Sequence, residues 1–223
     1  MEKLNMTNLE RMTIPEKISN DLRRQILVGK LKGGDQLKQD ALAQAFNVSV
    51  SAFREGLKIL EGEGLVRFMP NRGAMVTELS SEAALEIYQI RIFLEMGALE
   101  LAIPQMDKYV INKAAEYLEA EKDCTDPAYY NEINSLFHEC LYESAQNDRL
   151  LDMIRVLHNN VARYLILYLG EMNYREFSHG EHEALLKACE EKNTAKAKRI
   201  LKKHMMSAWK QFDRYIKRHQ TTQ

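Results

Sequence analysis

The chain has 223 residues, with 31 Lys/Arg against 32 Asp/Glu and a formal net charge of −1, so any nucleic-acid footprint must be local rather than global. That length has room for two domains, each with its own core. Cys124, Cys140 and Cys189 are odd in number, far apart and without a Cys-x-x-Cys pair, which argues against a disulfide scaffold and fits reduced thiols in a cytoplasmic protein.

Ile14, Ile18, Leu22 and Ile26 recur every four residues and predict an amphipathic helix ending around Gly29. Gly33-Gly34-Asp35 then makes a turn. A short helix is expected from Gln39 to Phe46, because Leu42, Ala43 and Phe46 form an apolar stripe. Asn47-Val48-Ser49 supplies a turn residue, a buried anchor and a serine able to cap the next helix, which starts near Val50. In that helix Phe53, Leu57 and Leu60 pack, while Arg54 and Lys58 share the adjoining face. Gly62 and Gly64 end it, since glycine is costly inside a helix and favoured just past its end. Val66 to Met69 reads as a strand, Pro70-Asn71-Arg72-Gly73 as a tight turn and Ala74 to Thr77 as the returning strand, with Arg72 at the tip.

Helix, turn, helix and a hairpin with a basic tip is the order in which a winged helix-turn-helix presents one helix and one loop to DNA. Residues 1–80 carry 12 Lys/Arg against 10 Asp/Glu, a net of +2, and the remainder 19 against 22. The asymmetry is small but has the right sign. Arg54 is the expected base contact, because arginine reads guanine O6 and N7 bidentately. Ser49, Ser51 and Lys38 are expected at phosphates, Lys58 completes the basic pair, and Arg72 reaches the minor groove or the backbone. The plainer reading pairs Arg54 with Glu55 and leaves Lys58 on a solvated face; a basic pair on the exposed side of the second helix favours DNA.

Leu42-Ala43, Val48-Ser49, Arg54-Glu55, Glu63-Gly64-Leu65-Val66 and Asn71-Arg72-Gly73, in this order and spacing, resemble the DNA-binding domain of GntR-family bacterial transcription regulators, over residues 13 to 78. The chain departs from the family at Ser49-Val50, where Ser-Arg is usual, and at Ser51-Ala52-Phe53, where Thr-Pro-Val is usual. The weight of base reading therefore shifts to Arg54.

From residue 79 the period is helical throughout, which divides the chain into a DNA-binding domain at 1–78 and an all-α domain at 79–223. Ser80-Ser81-Glu82 opens a helix whose buried face runs through Leu85, Tyr88, Ile92, Met96 and Leu99 to about Ile103, before Pro104. Further helices are expected over 107–123, 127–146, 149–170, 175–191 and 194–218, with breaks at Thr125-Asp126-Pro127, Asn147-Asp148, Gly170 and Asn193, and a frayed tail at Thr221-Thr222-Gln223. The fold class is thus mainly α, with a small β-hairpin wing. No membrane span is expected, since the apolar run Tyr164 to Leu169 is far short of the roughly 20 residues that crossing needs.

Asn134 and His138 stand four apart and so project from one helix face, while His182 and His204 come from the next-to-last and last helices. Three imidazoles and one oxygen donor make a sensible divalent-metal site with open coordination positions. The plainer reading treats each histidine as an ordinary core or surface residue, because spacing alone does not bring them together. Arg91 and Glu95, Phe137-His138, Glu181-His182 and His204 resemble the FCD ligand-binding domain of the FadR-like branch of the same family. There an Asp four residues before the first His completes the site; here Asn134, a neutral and weaker ligand, stands in that position. The resemblance implies a homodimer on a double-stranded operator and a small organic acid as effector, held by the metal and by Arg91. Arg91 also lies four residues before Glu95, so an intrahelical pair is expected with or without ligand contact. A nitrogen-rich site of this kind takes zinc, nickel, manganese or iron.

The leading reading is an effector-responsive transcription regulator and not an enzyme. A metal-dependent enzyme is disfavoured, because His179-Gly180-Glu181-His182 is not a His-Glu-x-x-His signature and neither a phosphate loop nor a nucleophile–base pattern is visible. A third possibility is an architectural DNA-binding protein whose bundle only dimerises.

Overall fold

The computed structural model describes residues 12–78, 80–122, 124–169 and 174–220, with backbone alone at 128, 163–169, 174–176 and 219–220. The break expected at Gly170 and the tail at 221–223 lie outside the described residues. The chain divides into two compact units, Met1–Glu78 and Leu79–Gln223.

The first unit opens with α1 (Ile14–Leu27), started by a reciprocal cap: the Thr13 hydroxyl accepts from the Glu16 amide, and the Glu16 carboxylate accepts from the Thr13 amide at 2.7 Å. Ile18, Leu22 and Ile26 are buried, but Ile14 is exposed, so the apolar stripe begins one turn later than its period suggests. After β1 (Gln36–Leu37) come α2 (Gln39–Ala45) and α3 (Val50–Gly62). Asn47 joins the two helices at φ 52°, a left-handed conformation that asparagine tolerates better than most residues. Ser49 caps α3 by accepting from Ala52 N at 3.1 Å. Gly64, at φ 71°, ends the helix, with its N–H donated to Glu61 O. Phe53, Leu57 and Leu60 are fully buried against the stripe of α1. Burial of that kind is worth about 1.5–3 kcal/mol per side chain. The two helices cross at Gly56, where an added Cβ would lie 2.9 Å from Ile18 Cγ2 and 3.0 Å from Pro15 O.

The wing is β2 (Val66–Met69) and β3 (Gly73–Val76), antiparallel, with Val66 opposite Val76 and Met69 opposite Gly73. It is larger than the expected hairpin, because β1 pairs antiparallel with β3, giving the order β1-β3-β2. A two-residue strand carries too little alternation to be seen in sequence.

The second unit is a bundle of α4 (Ser81–Gln105), α5 (Lys108–Lys122), α6 (Pro127–Glu143), α7 (Asp148–Leu169), α8 (Tyr174–Glu190) and α9 (Thr194–Gln220). Two of the expected breaks are caps, Asn147 and Asn193 accepting from Leu150 N at 3.2 Å and Lys196 N at 3.0 Å, and Asp107 caps α5 in the same way from Val110 N at 3.0 Å. α4 runs through Pro104 rather than stopping before it. In the last turn the ring removes only one helical bond, and Met106 N closes the end by donating to Ala102 O. Packed apolar residues from all six helices, including Leu99, Phe137, Leu185 and Leu201, surround a buried polar set: Arg91, Glu95, Glu121, His138, His158, His182 and His204. Leu85 and Met96 are only partly buried, whereas Arg91 and Glu95 lie on the inner face.

Candidate functional site

On the first unit, α3 sends its apolar face inward and exposes Ser49, Val50, Ser51, Arg54 and Lys58. Glu55 is taken by Lys58 at 2.8 Å, an exposed pair of little energetic weight. The Arg54 guanidinium lies 6.0 Å from the ring of Phe68 on β2, so the wing borders it. Asn71, at φ 61°, and Gly73, at φ 71°, turn the wing tip, and Gln36 Nε2 donates to Arg72 O at 2.6 Å, fixing the tip to β1. Lys38 and Arg72 are exposed, and a cleft lined by Lys38, Val50, Asn71 and Arg72 joins the starts of α2 and α3 to the tip. All six residues expected at DNA thus lie on exposed surface of this one unit.

In the bundle, a small cavity of about 30 Å3 is lined by Tyr88 and Arg91 from α4, Tyr130, Asn134 and His138 from α6, His158 from α7, Ser178 from α8 and His204 from α9. At one end, ligand nitrogens of His138, His182 and His204 all lie within 4.8 Å of one another. His182 Nε2 and His204 Nε2 are 3.3 Å apart. A metal–nitrogen bond of about 2.1 Å implies donor separations of roughly 3–3.5 Å.

The outer nitrogens are occupied. His182 Nδ1 is 3.2 Å from both carboxylate oxygens of Glu121, His204 Nδ1 is 3.1 Å from Glu181 Oε2, and His138 Nδ1 is 3.3 Å from Tyr142 Oη. Burial raises the cost of charge on Glu121 and Glu181, yet hydrogen bonds from His182 and His204 hold both below the usual carboxylate range. Ionised carboxylates only accept, so His182 and His204 donate from Nδ1 and, when neutral, face each other with two bare lone pairs. Protonation is opposed: burial, and then the neighbouring cationic groups, push His138 well below its usual value and lower His182 as well. A cation relieves the facing lone pairs. Asn134 Oδ1 is sealed from solvent and accepts no hydrogen bond, so it too is an unused donor on the cavity wall. The residues present therefore fit a divalent metal.

Arg91 both pairs with Glu95, Nε to Oε1 at 2.8 Å, and lines the cavity. Burial disfavours its charge, but Glu95 outweighs this and raises its pKa, so the cavity keeps a permanent cation. Nothing in the spacing of the sequence points to His158, which lines the same cavity. Burial and then the Arg91 charge push it down to about 3, and Ser135 Oγ stands 3.3 Å from its Nδ1. Glu121 escapes sequence reading, since it is 61 residues from the histidine it touches, whereas Tyr142 stands four after His138 on the same helix, a spacing that could have pointed to it. Glu181 is visible only as the neighbour of His182, whereas its partner is His204.

A winged helix-turn-helix with an exposed basic recognition face, followed by a helical unit around a buried polar cavity, defines a DNA-binding protein with a second, ligand-type domain. The model of "Bacterial regulatory proteins, gntR family" matches residues 15–76, and that of the FCD domain matches residues 86–207. The chain belongs to the GntR family of bacterial transcription regulators and carries an FCD domain. It is 30% identical over 194 residues to the HTH-type transcriptional regulator YdhC of Bacillus subtilis, covering 83% of this chain and 84% of the relative. To the gluconate operon transcriptional repressor of Bacillus licheniformis it is 28% identical over 193 residues, covering 83% and 79%. Among solved structures, a GntR family member from Pseudomonas syringae pv. tomato aligns with a TM-score of 0.61 at 32% identity, covering 94% of this chain and 88% of that one. E. coli McbR/YncC shares the fold with a TM-score of 0.74 at 22% identity, covering 92% and 99%. The family and these relatives are transcription regulators, not enzymes. Among the described residues no helix is long and apolar enough to cross a membrane.

Proposed function

We propose that this regulator is a cytoplasmic homodimer whose operator binding is modulated by a small organic acid, held in the bundle cavity between Arg91 and a divalent metal at His138, His182, His204 and Asn134. The observation that carries this reading is the pair of facing Nε2 atoms of His182 and His204, 3.3 Å apart, with His204 lining a cavity that a buried arginine also lines. A carboxylate suits both ends. The metal supplies open positions for its oxygens, and the guanidinium supplies charged N–H donors. Relatives named for a gluconate operon make sugar acids natural members of the ligand panel.

The dimer reading is supported by α4, whose inner face carries Arg91 while its outer face exposes Ile90, Phe93 and Leu101, Phe93 at 77%. α7, packed on α4, adds exposed Met153 and Val156. A second copy covers this surface, and two-fold symmetry then matches two operator half-sites. A ligand that contacts the inner face of α4 acts on the helix that forms the interface. It shifts the population of dimer arrangements if it prefers one of them. On DNA, Arg54 reads base edges, Lys38, Ser49, Ser51 and Lys58 hold phosphates, and Arg72 enters from the wing.

Thermal shifts of metal-stripped protein against divalent metals, carboxylates and both together test the reading. At a concentration a hundredfold above Kd, a ligand adds about 2.7 kcal/mol. Stabilisation by metal, and more by metal with a carboxylate, is expected; stabilisation by neither leaves the bundle as a dimerisation element alone.

A further inference from the structure

Three nitrogens face inward, but groups outside the ligand set keep them bare. We propose that three buried carboxylates are positioning residues for the metal site: Glu121 behind His182, Glu181 behind His204 and, through the Tyr142 hydroxyl, Glu95 behind His138. Each fixes the tautomer with Nε2 unprotonated and turned inward, and together they set how tightly the site holds a divalent cation. The proposal rests on the metal reading above.

For His182 and His204 the backing is direct, at 3.2 Å and 3.1 Å from Nδ1. For His138 it is relayed. The Tyr142 hydroxyl lies 2.7 Å from Glu95 Oε2 and 3.3 Å from His138 Nδ1, and it has a single proton. A carboxylate only accepts, so that proton goes to Glu95 and the hydroxyl oxygen accepts from His138 Nδ1–H, again leaving Nε2 bare. The supports come from α4, α5, α6 and α8, so helices beyond those carrying the ligands fix the site. The four proposed ligand groups are all neutral, three imidazoles and an amide. Negative charge near a bound cation therefore comes from this outer ring. Glu95 also pairs with Arg91 at 2.8 Å, so an anion competing for the guanidinium would be felt at His138.

The full chain, stripped of metal, is titrated with Co2+ and followed by visible absorption, with Zn2+ in competition. The variants are Glu121→Gln, Glu181→Gln and Tyr142→Phe, and the control is Glu119→Gln, an exposed acid paired with Lys122. Wild type and control are expected to bind one Co2+ per chain with equal affinity, and each outer-ring variant to bind on the order of 10- to 100-fold more weakly. Circular dichroism of the metal-free proteins shows whether each variant folds; should Glu121→Gln not fold, Glu181→Gln and Tyr142→Phe carry the comparison. Folded variants that bind Co2+ as tightly as wild type, with an unchanged spectrum, overturn the proposal and leave the metal reading standing. A wild-type chain that takes up no Co2+ overturns both.

Discussion

Arg91 has two roles, as the partner of Glu95 and as the cavity cation, and a pair of substitutions separates them. Arg91 is 5% exposed and Glu95 1% exposed, so neither charge has water to fall back on. Removing one member of such a pair costs about 3–5 kcal/mol, whereas replacing both with well-packed neutral groups is often close to neutral. Arg91→Met leaves Glu95 with the Tyr142 hydroxyl at 2.7 Å as a remaining donor, which places the loss toward the lower end of that range. In a unit of this size each kcal/mol moves Tm by about 3–4 °C, so the bundle should melt roughly 10 °C lower. The double variant Arg91→Met/Glu95→Gln should recover most of this loss. It should nevertheless lose the extra stabilisation by metal-bound carboxylate, because the guanidinium is gone. Thermal unfolding by circular dichroism, with and without ligand, reads both effects. A loss below about 1 kcal/mol in the single variant would refute the description of Glu95 as a charge dependent on Arg91. Undiminished carboxylate stabilisation of the double variant would refute Arg91 as the effector contact.

In the first unit, Gly56→Ala gains up to about 1 kcal/mol of helix propensity but forces α1 off α3 against Ile18 and the Pro15 carbonyl. Overpacking of 1–3 kcal/mol should win, so urea unfolding should report a net loss of roughly 1 kcal/mol, and a gain would contradict the crossing geometry. Arg54→Ala should cost roughly 1–3 kcal/mol of operator affinity and blur specificity, while Lys38→Ala weakens binding to all sequences alike; gel-shift titrations on operator and random DNA distinguish the two. His158 titrates at about 3 in the fold and near 6.5 unfolded. Between those values the unfolded chain binds a proton that the native chain does not, so stability falls as pH drops below about 6.5, by up to ~1.4 kcal/mol per pH unit. His158→Gln should remove that share of the slope in urea titrations between about pH 5 and 6.5, and an unchanged slope would count against its neutrality in the fold. Phe93→Glu should yield monomers by light scattering, with a Tm that no longer rises with protein concentration, whereas an intact dimer would place the interface elsewhere.

The winged helix was legible in the sequence because its signals are local. The apolar stripe of α3, the Ser49 cap and Gly64 each act within a few residues, and the structure has each where its chemistry puts it. β1 was invisible because its pairing with β3 is decided by residues almost forty positions away. In the bundle, helix limits were readable from caps such as Asn147 and Asn193, and Pro104 misled only because a proline in the last turn removes a single bond. The three histidines carried no spacing signal across helices, and a family resemblance alone suggested that they meet. Behind them, Tyr142 stands one turn from His138, a spacing the chain does carry, but Glu121 and the link from Tyr142 to Glu95 come from distances across the bundle, which leave no period in the chain.

The most direct measurement is native mass spectrometry with elemental analysis of protein purified without chelator, wild type beside His182→Ala. The expected result is one first-row divalent ion per wild-type chain, with a small carboxylate retained alongside it and both lost in the variant. A wild-type chain that carries neither, and takes up neither when metal and carboxylates are supplied, would contradict the cavity as the regulatory site.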